Sequence, residues 1–252
     1  MAARPLSSGT RPEGAPAALS AGVSPGGRPA PPHANDPLAT GVVELDRALP
    51  RGGFPRGAVT ELCSSFGLGV PTSLALAACA AAQLEARHEG RPAPWCAFLD
   101  PTGSLHGPGV AAAGVELGRL LVVRPPLEAL ARLAARLVTS GAFAVVVIDT
   151  AGVPGAGGCA SLASWPTATR RLALAAEAGS TVVLLLTDHD AVRPVALPVA
   201  MRVELQQPAP GRLSLRVAKE RRGQVSGWSS FAWGVPAAAA DEIVPLHRTT
   251  QR

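Results

Sequence analysis

The sequence predicts an α/β fold: a mainly parallel central sheet flanked by helices, with an antiparallel C-terminal extension. Three observations lead there. Apolar runs of strand length recur, Ala142–Ile148 among them. Helix-length segments separate them. Beyond Asp188 the alternation gives way to two strand-like runs about a Pro/Gly turn. Strands that are apolar at every position must be covered on both faces, and crossover helices do this in parallel sheets.

The elements follow in order. Residues 1–36 are rich in Pro, Gly, Ala and Ser without a hydrophobic period. Such a stretch buries too little apolar surface to offset its ordering entropy and is expected to be a disordered tail. A single domain is expected over 37–234, and a loose tail over 235–252, where periodicity is lost. Both tails are expected to order only on a partner. Ala58–Cys63 reads as a strand, Ser64–Val70 as a Gly-containing turn, and Pro71–Arg87 as an Ala-rich helix with Pro at its first turn. Trp95–Asp100 reads as a strand ending in an acid, Val110–Leu117 as a weak helix, and Leu120–Arg124 as a short strand. Leu127–Ser140 has amphipathic spacing, and Phe143–Asp149 is the strongest buried strand. A Gly-rich loop over 151–164 leads to a helix at Thr167–Ala178 and a strand at Thr181–Thr187. Ala200–Gln206 and Leu213–Glu220 pair as a hairpin about Pro208–Gly211, extending the sheet with antiparallel strands.

Composition narrows the function classes. The 252 residues carry a formal charge of +5, which permits contact with nucleic acid or acidic proteins without deciding between them. Cys63, Cys79, Cys96 and Cys159 lack Cys-x-x-Cys or His spacing and read as reduced core residues, so no metal is expected. The N-terminus lacks a secretory apolar region, and no apolar run has bilayer-spanning length. The protein is expected to be soluble and cytoplasmic.

A strand, a Gly-rich turn and a helix form the physical setting of a phosphate-binding loop. In G-x-x-x-x-G-K-[ST] the backbone wraps phosphates, the Lys neutralises them and the hydroxyl holds Mg²⁺. Here that setting holds Ser64-Ser65-Phe66-Gly67-Leu68-Gly69-Val70-Pro71. Gly69 fits the second glycine. Val70 stands in place of the Lys, and Pro71 in place of the Ser/Thr. Pro71 offers neither a hydroxyl nor an N–H, yet suits a helix start. An ordinary strand–turn–helix that never bound nucleotide is the competing reading on spacing alone.

Thr40–Asp46, followed by Arg51-Gly52-Gly53-Phe54-Pro55-Arg56-Gly57-Ala58-Val59-Thr60-Glu61-Leu62, resembles the approach to the nucleotide loop in the RecA recombinase family. Phe98-Leu99-Asp100 resembles that family's next strand, Gly114–Pro125 its following segment, and Ser140–Thr150 its Walker B strand. The likeness covers about residues 40–233, and the motifs stand in the family's order. It implies a RecA-like core. It puts Asp149 at the Walker B acid, where a strand-end structural role and a metal ligand are both open. The general-base glutamate falls on Thr102, which cannot activate water. The polar sensor falls near Thr187 and Asp188, where an acid would repel a γ-phosphate.

A RecA-like core with an eroded loop is similar to the ImuA family, to which Gly67-Leu68-Gly69 and Leu120–Pro126 point. That resemblance implies a non-catalytic accessory of SOS-induced mutagenic translesion synthesis, binding no cofactor and working beside an ImuB-like partner and RecA. A divergent ATP-dependent recombinase paralogue and a SulA-type division inhibitor are the alternatives.

DNA-facing loops in recombinases correspond to about Gly152–Ser164, without Lys or Arg, and His189–Leu197, with only Arg193, so loop-based DNA binding is expected to be poor. Basic density lies at Arg212, Arg216, Lys219, Arg221 and Arg222. Strand alternation puts Arg212 and Arg216 on one face, and Lys219 with Arg221 on the other. This cluster would meet an acidic partner or DNA backbone, or simply solvate an edge strand. Thr187–Asp190 reads as turn chemistry rather than a metal site. Trp228, Phe231 and Trp233 are expected to cap the core, with an exposed aromatic interaction patch as the alternative.

Overall fold

The computed structural model describes residues 36–65, 69–151, 162–191 and 196–233. The expected tails at 1–36 and 235–252, the glycine at Gly67, most of the Gly152–Ser164 loop, Cys159 and Arg193 therefore lie outside the described residues, Asp36 and the 162–164 turn excepted.

Eight strands form one sheet. They are β1 (Ala58–Ser64), β2 (Trp95–Leu99), β3 (Leu120–Val123), β4 (Phe143–Asp149), β5 (Val182–Asp188), β6 (Met201–Ala209), β7 (Arg212–Glu220) and β8 (Ser229–Ala232). Their order is β3-β2-β4-β5-β1-β6-β7-β8. The pairs from β3 to β6 are parallel, and β6–β7 and β7–β8 are antiparallel. The predicted hairpin thus extends the sheet, although its first strand joins β1 in parallel.

Five helices connect the strands: α1 (Val43–Ala48), α2 (Val70–His88), α3 (Gly107–Ala112), α4 (Leu127–Thr139) and α5 (Trp165–Gly179). Successive residues of the central strands enter opposite layers. Leu62, Phe98, Val145, Val147 and Leu184 pack with Leu74, Ala78 and Cys79 of α2. Val59, Leu99, Val146, Ile148 and Leu185 pack with Leu130 and Ala134 of α4 and Leu172 and Ala176 of α5. The result is helix, sheet, helix, as the unbroken apolar runs require.

Two helices start two or more residues from the sequence expectation. The weak helix occupies Gly107–Ala112 instead of Val110–Leu117. Pro108 starts it early, and Gly114, at φ +81°, turns the chain before Leu117. The α5 helix begins at Trp165, with Pro166 in its first turn, two residues ahead of Thr167.

Candidate functional site

β1 delivers the chain to the carboxyl edge of the sheet at Ser64, and α2 departs from Gly69. Strand register fixes what stands beside this turn. Ser64 pairs with Asp188, and the His189 N–H donates to the Ser64 carbonyl at 2.8 Å. Asp149 pairs with Leu186, and Leu99 pairs with Ile148, so Asp100 and Asp149 end neighbouring strands abreast. Three carboxylates, Asp100, Asp149 and Asp188, therefore line this edge. The loop from Ser64 to Thr72 contains no Lys or Arg.

Val70 does more than lack a charge. Its side chain is 5% exposed and belongs to the apolar layer beneath α2. Pro71, also buried, follows in the first turn of the helix. The Ser73 N–H and hydroxyl both donate back to the Gly69 carbonyl, at 3.0 and 3.1 Å. The Gly69 carbonyl thus carries two bonds, while no side chain caps the first N–H groups of the helix.

The acids are similarly occupied. Asp100 is fully buried and accepts the Ser104 and Leu105 N–H groups at 3.0 and 2.9 Å. The Thr102 hydroxyl turns back to Asp100 at 3.4 Å. Asp149 accepts the Ala151 N–H at 3.0 Å. The Thr187 hydroxyl donates to Glu61 at 2.8 Å and points into the protein. The Asp190 N–H donates to Asp188 at 3.1 Å, the expected turn chemistry. Among the described residues no group of three or more His, Cys, Asp and Glu is placed to hold a metal ion.

The basic residues do not form one cluster. Arg212 lies at the exposed hairpin tip on the carboxyl edge, and Arg221 and Arg222 follow the other end of β7. Arg216 is committed: its Nε and Nη2 both reach Glu204 at 2.7 Å, and its guanidinium lies 5.0 Å from the Trp228 ring centre. Trp228 therefore sits half-exposed over Arg216 rather than capping the core, while Phe231 and Trp233 do pack against it.

Lys219 corrects the alternation argument. Register shifts between Arg202 and Val203, so that Arg202 faces Lys219 while Val203 faces Val217. The extra residue, Ala218, is a β-bulge that reverses parity and turns Lys219 to the face of Arg216. There its ammonium donates to the Leu197 carbonyl at 3.2 Å.

Arg221 and Arg222 gain neighbours that sequence spacing could not supply. They line a depression of about 140 Å³ with Arg51, Arg56, Pro37 and Glu220. Arg56 is paired with Glu85. Glu220 accepts the Arg222 N–H at 2.6 Å and shapes the turn. This depression lies at the amino end of β1, across the sheet from the Ser64 loop.

Sequence reasoning also missed a buried ionic cluster. Glu61 is 1% exposed, with Arg202 3.8 Å away. Arg202 reaches Glu204 at 3.2 Å, and Arg216 continues the chain of charges. A charged residue, Glu61, within the strand Ala58–Ser64 was the signal for it.

Similarity to known proteins agrees with this architecture. The family described as RecA N-terminal domain matches residues 30–157, about half of the chain. Protein RecA of Deinococcus radiodurans is 39% identical over 114 residues, covering 45% of this chain and 29% of that protein. Protein RecA of Acidiphilium cryptum is 37% identical over 119 residues, covering 47% of this chain and 32% of that protein. The chain therefore spans about a third of the length of these curated relatives. No helix among the described residues is long and apolar enough to cross a membrane. With its parallel core, an α2 helix that departs from Gly69 after β1, and a match over half its length, the chain belongs to the RecA N-terminal domain family.

Proposed function

We infer that this chain is a non-catalytic, RecA-related accessory of the DNA-damage response. In this reading it acts in SOS-induced mutagenic translesion synthesis, as its resemblance to the ImuA family implies. It contacts RecA and an ImuB-like partner and needs no nucleotide.

The observation that carries the reading is Val70. A side chain 5% exposed within the α2 layer cannot reach a phosphate, and nothing else between Ser64 and Thr72 supplies a cation. A hydrogen bond to a charged group contributes about 1.5–3 kcal/mol, and the lysine, hydroxyl and Pro71 N–H are lost together. Asp100, Asp149 and Asp188 on the same edge add repulsion. In this reading the edge presents carboxylates where a nucleotide site would present cations.

With catalysis set aside, Arg221 and Arg222, both exposed, are the charges this reading assigns to a partner. They suit an acidic protein surface, where exposed charges set orientation and encounter rate. The test is co-purification of RecA and the ImuB-like protein from DNA-damaged cells with the full chain and with Arg221→Glu/Arg222→Glu. The expected result is capture by the first and loss with the second, each repeated with purified partners. Failure of purified partners to bind the unaltered chain contradicts the accessory role.

A further inference from the structure

A groove of about 720 Å³ lies on the outer face of α2. Small side chains build it: Ala77, Ala80 and Ala81 of α2 and Ala112 and Ala113 of the α3 region, with the apolar Leu84 half-exposed at 49%. Arg87 closes one end, where one guanidinium nitrogen meets Glu116 at 2.9 Å. Trp233 lines the other end and is the last described residue.

The topology orients this groove. Ala209 lies four residues beyond Leu205, which pairs with Ser64. Arg212 pairs with both Ala209 and Ala232, and the Trp233 N–H donates to the Gly211 carbonyl at 2.7 Å. Trp233 is therefore at the carboxyl edge, where α2 begins, and Arg87 is in the last turn of α2. A chain continued from Trp233 along the groove would enter at the Ser73 end and reach Arg87 at the other.

We propose that the segment following Trp233 occupies this groove in the same chain, laying Gly234–Ala240 along the alanine face of α2 and bringing Asp241 and Glu242 to Arg87. Lengths agree. Fourteen residues of helix from Ser73 to Arg87 span roughly 21 Å at about 1.5 Å each. Seven extended residues, 234–240, reach roughly 23 Å at about 3.3 Å each. Composition agrees as well. Gly234-Val235-Pro236-Ala237-Ala238-Ala239-Ala240 is uncharged and small, matching a floor of alanines, and the two acids come only where the groove offers its cation. The inference is independent of the accessory role above.

The test is paramagnetic broadening in the full chain. A nitroxide is placed at Leu84→Cys in a Cys159→Ser background; Cys63, Cys79 and Cys96 are fully buried. The expected result is strong broadening of the amide signals of Ala238–Ile243 when label and isotope share one chain. It should be largely lost in Asp241→Lys/Glu242→Lys, and absent when label and isotope sit on different chains. No broadening within one chain overturns the proposal. So does broadening that fades smoothly with separation from Trp233 and ignores the charge reversal. Equal broadening between chains assigns the groove to a second copy and overturns it too.

Discussion

The ionic cluster around Arg202 allows a quantitative test of how this sheet is held together. Its members balance: Glu61 and Glu204 against Arg202 and Arg216. Arg202→Met keeps most of the aliphatic stem and removes the cation 3.8 Å from a glutamate that is 1% exposed. Stranding a buried charge in this way costs about 3–5 kcal/mol. Against a typical domain stability of about 5–15 kcal/mol, that is a large fraction. Glu61→Leu is milder, because Arg202 keeps Glu204 at 3.2 Å and the chief loss is the Thr187 hydrogen bond, at about 1–3 kcal/mol. The double variant leaves the Glu204–Arg216 pair intact and puts two apolar side chains together. It should be more stable than Arg202→Met alone, with a coupling of about 2 kcal/mol or more. Urea unfolding followed by tryptophan fluorescence and far-UV circular dichroism measures the cycle, provided the two transitions coincide. A cost below about 1 kcal/mol for Arg202→Met, or single costs that add to within about 0.5 kcal/mol, would refute the argument.

Two further predictions concern packing and thiol chemistry. Gly53→Ala should destabilise the fold by about 2 kcal/mol or more, because a Cβ there would lie 2.3 Å from the Leu38 carbonyl oxygen. Hydrogen exchange should then show the Leu38–Phe54 bridge opening first, and unchanged protection at both amides would contradict this. Cys79 is fully buried beside Cys96, and the neighbouring thiol followed by desolvation holds its pKa well above the usual value. Neutral-pH maleimide treatment followed by peptide mass spectrometry should leave Cys63, Cys79 and Cys96 unmodified in the folded chain; rapid modification of Cys79 would mean that its layer opens.

Much of the architecture was legible because the parallel strands are mostly apolar along their length. Phe143–Asp149 emerged with its predicted limits, and Leu127–Thr139 ended one residue short of expectation. The helix at Gly107–Ala112 was misplaced because Gly-Pro-Gly reads as a loop, although proline also favours a helix's first turn. At the site, the identities of Val70 and Pro71 were visible, but not the burial of Val70. That depends on how α2 settles on the sheet. The basic residues of β7 were counted correctly and grouped wrongly. A bulge that changes side-chain parity leaves no mark in Val217-Ala218-Lys219, and the acids that occupy Arg216 and Arg202 come from neighbouring strands. Glu61 and Thr187 stand 126 residues apart, beyond any local pattern.

The chain from Ser64 to Thr72 carries no Lys or Arg, and three carboxylates stand on the same edge, so nucleotide should not bind there. Calorimetric titration of the full chain with ATP in excess Mg²⁺ tests it directly. The account predicts no saturable heat up to about 1 mM, a binding free energy weaker than about 4 kcal/mol. Stoichiometric binding in the micromolar range, with a slowly cleaved analogue seated between Ser64 and Thr72, would contradict it.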